Sequence, residues 1–172
     1  IGTAINDIDI VPNVGVLVAG SDGLVGLSTS SSLISENPGQ GETTRTNYLV
    51  SGKAAFGFAN GKILIYSLST YEILLQLSHG SRIFDLESNS NSDLFSVSDN
   101  NQNLFRWNTI SGTVSLTINL GSTGFCIKLL DNNKIGVALS DHSIKIYDLT
   151  TSNLLKTLIG HTNTTFGLVI NR

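Results

Sequence analysis

Methionine is absent from this chain of 172 residues, cysteine occurs once, and charged residues make up only 13% of it. With Cys126 as the sole cysteine, no intrachain disulfide can form and a cysteine-built zinc site is excluded. The place expected for that thiol is a buried strand in a reducing compartment. Lys and Arg form no cluster and the formal net charge is -3, so the electrostatic footprint of a nucleic-acid binder or of a polybasic membrane patch is missing. No apolar run approaches the ~18 residues of a membrane helix, and the first twenty residues lack the basic start of a signal peptide. Together these absences point to a cytoplasmic protein. The sequon Asn163-Thr164-Thr165 is the one counter-signal.

What is present suits strands. Hydrophobic residues make up 40% of the chain and mean hydropathy is +0.16, enough for one domain with a sizeable core. Ser, Thr, Asn and Gly fill the polar positions that Glu, Lys and Arg would occupy on helices. Two independent markers then recur with a period of about forty. Tyr66, Trp107 and Tyr147 close similar strand-like runs 41 and 40 residues apart, and Phe84, Phe125 and Phe166 follow one another at 41 and 41. A degenerate first copy, "GSDGLVGLS", precedes them.

Each copy reads as four short strands. In the fourth they are "GFCIKLL", "KIGVALS", "SIKIYDL" and "NLLKTLI", separated by the turn residues Asp131-Asn132-Asn133, Asp141-His142 and Thr150-Thr151-Ser152. Ser21-Asp22-Gly23 and Asn60-Gly61 are equivalent hairpin turns. Runs such as "GVLVAG" and "AAFGFA" are apolar on both faces, so each meander needs cover on two sides, which stacked copies supply. The copies span about 1–40, 41–79, 80–120 and 121–159, and residues 160–172 are expected to open a fifth.

These residues resemble the WD-repeat β-propeller family. Gly160-His161, the tight-turn acids Asp22 and Asp141, and Trp107-Asn108 and Tyr147-Asp148 match its motifs, "YDLTTSNLLKTLIGHT" most closely. The repeats are degenerate: Ser28 and Tyr66-Ser67 stand in place of Trp-Asp, Val137 in place of a Ser or Thr, Gly121-Ser122 in place of Gly-His, and His79-Gly80 inverts that pair. The resemblance implies an all-β propeller of four four-stranded antiparallel blades plus the first strand of a fifth, a segment of a propeller of about seven blades. It also implies structural roles for Asp22, Asp141, Trp107, Tyr66 and Tyr147, and for His161 a hydrogen bond to a turn of its own blade.

Catalytic constellations are thin. His79, His142 and His161 fall in turns of different blades and are not expected to share a metal, and no cofactor is implied. Asp7 with Asp9, and Asp85 with Glu87, alternate along strands and read as solvated strand edges. "ENPGQGETT" at residues 36–44 lacks the Lys-Ser/Thr ending of a phosphate loop and reads as an inter-blade connector. Arg106 occupies the place of Leu27, Ile65 and Ile146, where an apolar side chain should be buried, so it reads as a snorkelling arginine paired with an acid such as Asp99, or as an anion site near a central channel.

The function this suggests is a non-catalytic scaffold that binds proteins. The alternative is a ligand-binding or enzymatic propeller whose catalytic residues lie in further blades. Exposed terminal blades are expected to self-associate. Binding is expected on the face where the turn between strands two and three meets the connector into strand one, at Asp22-Gly23, Asn47, Asn60, Ser81-Arg82, Asn100-Asn101, Ser122-Thr123, His142 and Thr162-Asn163, with Arg82 as anchor.

Overall fold

The computed structural model describes residues 4–131 and 133–169. The turn residue Asn132 and residues 170–172 lie outside that range. Sixteen strands and no helix occur among the described residues. They form four antiparallel sheets of four, each in simple chain order. The first holds β1 (Ile5–Val11), β2 (Gly15–Gly20), β3 (Val25–Thr29) and β4 (Leu33–Glu36). The second holds β5 (Thr43–Leu49), β6 (Lys53–Phe58), β7 (Lys62–Ser67) and β8 (Ile73–Ser78). β9 (Ile83–Ser88), β10 (Asp93–Ser98), β11 (Asn101–Asn108) and β12 (Val114–Asn119) make the third. The fourth comprises β13 (Gly124–Asp131), β14 (Lys134–Leu139), β15 (Ile144–Asp148) and β16 (Leu154–Leu158). No helix among these residues is long and apolar enough to cross a membrane.

The burial pattern explains the order of strands. β6, β10 and β14 are apolar on both faces and almost wholly buried, whereas β8, β12 and β16 expose most positions. The core is correspondingly layered between sheets. Leu17, Leu27 and Phe56 belong to a cluster joining the first and second sheets, Ile65, Ile83 and Leu94 to one joining the second and third, and Val97, Ile127 and Val137 to one joining the third and fourth. A fully buried side chain of this size contributes about 1.5–3 kcal/mol, so each sheet depends on its neighbours for most of its stability.

The strands at the inner edge, β1, β5, β9 and β13, lie side by side, and each departs from regular pairing at the same place. The register shifts between Ile5 and Asp7, between Thr43 and Arg45, between Ile83 and Asp85, and between Gly124 and Cys126. One extra residue therefore bulges from every first strand: Asn6, Thr44, Phe84 and Phe125. The Phe84 and Phe125 rings meet across the two sheets with centroids 4.9 Å apart and planes tilted by 40°. The other repeat marker is equally regular. Tyr66, Trp107 and Tyr147 stand opposite the second residue of their neighbouring strand, respectively Ala54, Leu94 and Ile135, and Ser28 holds the corresponding place opposite Val16.

Among the described residues 160–169 the expected first strand of a fifth unit is not formed. Residues 160–169 belong to no sheet, because a strand exists only with a hydrogen-bonding neighbour and none adjoins them on that side. The segment nevertheless runs beside β13, where the Phe166 ring meets Phe125 at 5.3 Å and Leu168 reaches Gly136. His161 is exposed in this stretch.

Candidate interaction surface

The four turns joining second to third strands share one local device. Asp22 Oδ1 accepts the Leu24 N–H at 3.0 Å, Asn60 Oδ1 that of Lys62 at 3.0 Å, Asn101 Oδ1 that of Asn103 at 3.2 Å, and Asp141 Oδ1 that of Ser143 at 3.0 Å. A short polar side chain here closes its own turn two residues on. Gly61 carries the positive φ the second turn requires, and a Cβ there would collide with the backbone of Ser81 in the connector to β9. Gly23 does the same in the first turn, whereas in the third and fourth Asn100 and His142 adopt positive φ as non-glycine residues.

Connectors and turns thus share one rim. Ser81 Oγ bonds the Asp99 carbonyl, Ser122 Oγ lies 3.0 Å from Ser140 Oγ, and the Thr123 N–H donates to Ser140 Oγ at 3.2 Å. Asp22, Asn60, Asn100, Asn101, Thr123 and His142 all stand there, and His79, Gly80, Ser81 and Asn100 to Asn103 line a polar depression between the second and third sheets. Asn47 does not belong to it. It lies mid-strand in β5 opposite Ala55, because the connector ends earlier, at Glu42.

Arg82 is already engaged. Its guanidinium forks onto Glu42 with Nη1 2.7 Å from Oε2 and Nη2 2.8 Å from Oε1, and Asn6 Nδ2 donates to the same carboxylate at 3.0 Å. The Arg82 partnership holds the Glu42 carboxyl below its ordinary range. The pair ties the connectors of the second and third sheets together, so Arg82 is a clamp of the rim rather than a free anchor. On the next connector Lys145 Nζ donates to the Leu120 carbonyl at 2.8 Å.

His79, expected in a turn with the other histidines, is instead a core residue. Only 3% of it is exposed, its ring stacks on Phe105 at 4.2 Å, and Nδ1 lies 2.8 Å from Ser96 Oγ. Trp107 Nε1 donates to the same oxygen at 2.8 Å. Ser96 Oγ therefore accepts the Trp107 N–H and shares a second hydrogen bond with His79 Nδ1, while Nε2 of the same ring is buried. Burial pushes the His79 pKa down to about 4. No group of three metal-ligating side chains occurs among the described residues.

The strand carboxylates are not solvated edges. Asp7 Oδ2 accepts the Thr46 N–H at 2.9 Å, Asp9 Oδ2 that of Tyr48 at 2.6 Å, and Asp85 Oδ2 that of Ile127 at 2.8 Å, each from the first strand of the next sheet. Asp7 and Asp85 follow the bulge directly, and Asp9 lies two residues on along the same face. Asp7, Arg45, Asp85 and Cys126 share one position in the repeat, opposite Ala19, Gly57, Val97 and Ala138. Cys126 continues the row, half-buried rather than fully so, with the Leu168 amide against its sulfur and Asp85 beside it. Burial, and then that carboxylate, push its thiol up to about 12, which makes it a poor nucleophile. Glu87 pairs with Lys128 Nζ at 2.8 Å.

Arg106 is not paired with Asp99. Its Nε donates to Ser115 Oγ at 3.0 Å on the outermost strand β12, away from the inner edge where an anion site is expected. A residue the connector reading concealed is Glu36. It ends β4 opposite Val25, and its Oε1 accepts the Tyr66 hydroxyl proton at 2.6 Å. No protein-family model matches the chain, and no curated protein matches it either.

Proposed function

We propose that this chain is part of a WD-repeat-like β-propeller of about seven blades that acts as a non-catalytic protein-interaction scaffold in a reducing, cytoplasmic setting. The observation that carries the reading is the rim. Four turns, each with its own Asp or Asn side chain accepting a backbone N–H two residues on, stand beside their connectors; Ser122 with Ser140 binds the fourth turn to its own connector, and the Arg82–Glu42 pair joins two neighbouring connectors. Rigid presentation of variable tips suits partner binding, because little ordering entropy remains to be lost on association. The buried His79–Ser96–Trp107 chain supports the family reading, since it joins three of the four residue types of the His, Ser, Asp and Trp hydrogen-bond network of typical members, although no Asp takes part in it. Within the rim His142 and Thr123 are the proposed contact residues, both exposed or partly so and neither a clamp.

The test is site-specific photocrosslinking in the intact protein in its own cells, with the crosslinking residue at His142, at Thr123, or at Asn133 in the turn at the opposite ends of the strands. Discrete protein adducts from His142 and Thr123, and none from Asn133, are expected. Adducts from Asn133 alone, or from no position, overturn the assignment.

A further inference from the structure

The first sheet breaks the repeat at one place. Glu36 stands opposite Val25 where the other sheets carry Leu77 opposite Ile63, Ile118 opposite Leu104 and Leu158 opposite Ile144. Leu77 and Ile118 are 3% exposed, so the position belongs to the packing between outer strands. With a carboxylate there, a groove opens between the first and second sheets. Its walls are Leu17, Leu27, Phe56 and Leu68, the Tyr66 and Tyr71 rings flank it, and its free volume is about 80 Å³. Glu36 is the only charged residue in the lining, and no cation pairs with it among the described residues. Tyr71 is held at a φ of 60° and is 41% exposed.

We propose that this groove receives one basic side chain, Lys or Arg, of a protein partner. The alkyl stem of such a residue matches the apolar walls, its head reaches the Glu36 carboxylate beside its bond from Tyr66, and the Tyr71 ring offers a second favourable contact to the cation. The volume admits a single side-chain arm and leaves the body that carries it outside, which favours a macromolecular occupant over a free cofactor. β4 is a short, exposed edge strand, so the groove is reachable from solvent. The identity of the occupant rests on the scaffold reading; the site does not use the rim.

The experiment is amide NMR titration of the protein with n-pentylammonium and n-butylguanidinium, with n-pentanol as the neutral control. Both cations should shift the amides of Leu27, Ser35 and Leu68, and the alcohol should bind about tenfold more weakly. Glu36→Gln keeps an acceptor for the Tyr66 hydroxyl and should weaken cation binding about tenfold with an unchanged spectrum elsewhere. Glu36→Leu, the residue of the second sheet, should fill the groove, abolish the shifts and raise Tm. Equal binding of cation and alcohol, or unchanged binding to the Gln variant, overturns the proposal. Cation shifts without crosslinks at His142 or Thr123 refute the rim alone, and crosslinks without cation shifts refute the groove alone.

Discussion

Asp85 Oδ2 accepts the backbone N–H of Ile127 at 2.8 Å, joining the first strands of two separate sheets through one side chain. Asp85 Oδ1 accepts the Leu86 N–H at 2.9 Å as well, so the carboxylate satisfies two donors at once. Asp7 and Asp9 make the same kind of bond between the first and second sheets, to Thr46 and Tyr48. Where Arg45 replaces the acid it can only donate, and it turns to the Thr44 carbonyl and towards Asp85 at 3.9 Å. Inter-sheet register at the inner edge is therefore set by hydrogen bonds, while packing sets the outer parts.

Asp85→Ala leaves the Leu86 and Ile127 amides without their acceptor and should cost about 2–6 kcal/mol, since each buried unsatisfied donor costs about 1–3 kcal/mol. Asp85→Asn keeps one acceptor oxygen and should lose less. Urea denaturation at pH 7 measures both. An Ala variant as stable as wild type would remove the carboxylate from the account of how the third and fourth sheets stay together.

Two buried groups pull pH dependence in opposite directions. Burial raises the Asp85 pKa to about 6, above its ordinary value of 3.8, so its contribution is fully present below 3.8 and is lost as pH rises through 6. Burial lowers the His79 pKa to about 4 from 6.5, so its contribution is present above 6.5 and is lost as pH falls through 4. Between pH 4 and 6 the two offset one another. His79→Leu should therefore give a Tm that falls as pH rises across that window, and Asp85→Asn a Tm that rises. Parallel slopes for the two variants in scanning calorimetry would contradict the assignment.

Ser96 serves two partners with one oxygen. Ser96→Ala strands Trp107 Nε1 and His79 Nδ1 in the core and should destabilise by about 1–3 kcal/mol through unsatisfied polar groups. Loss of the serine should also shift Trp107 fluorescence, the chain having a single Trp. An unchanged urea midpoint and emission maximum would show that the network contributes nothing.

The sheets were legible because the aromatic and phenylalanine markers recur at fixed positions, and because turn residues such as Asp22, Asn60 and Asp141 close their own turns locally. What escaped the sequence depends on three-dimensional register. The bulge that aims Asp7 and Asp85 sideways adds one residue to a strand without altering its composition, so the acids looked like an exposed alternating face. His79 looked like a turn residue because it precedes Gly80, yet its own side chain points into the core. Glu36 was hidden at the head of a Gly-rich connector, and only the pairing of β3 with β4 shows that it stands in a leucine position.

The outward faces of the first and fourth sheets bear on how the chain behaves in solution. Ile8 and Ile10 of β1 are 60% and 68% exposed, and Leu154, Leu155 and Leu158 of β16 are also open to solvent. Contiguous apolar strand surface of this kind associates, and β1 offers backbone groups along one edge besides. The chain by itself should therefore sediment as a concentration-dependent mixture of oligomers. Replacing Ile8 and Ile10 together by Lys should shift it towards monomer with little change in Tm, because neither side chain packs in the core. A single compact monomer at every concentration, with the Lys variant indistinguishable from wild type, would show that the apolar face of β1 does not drive association.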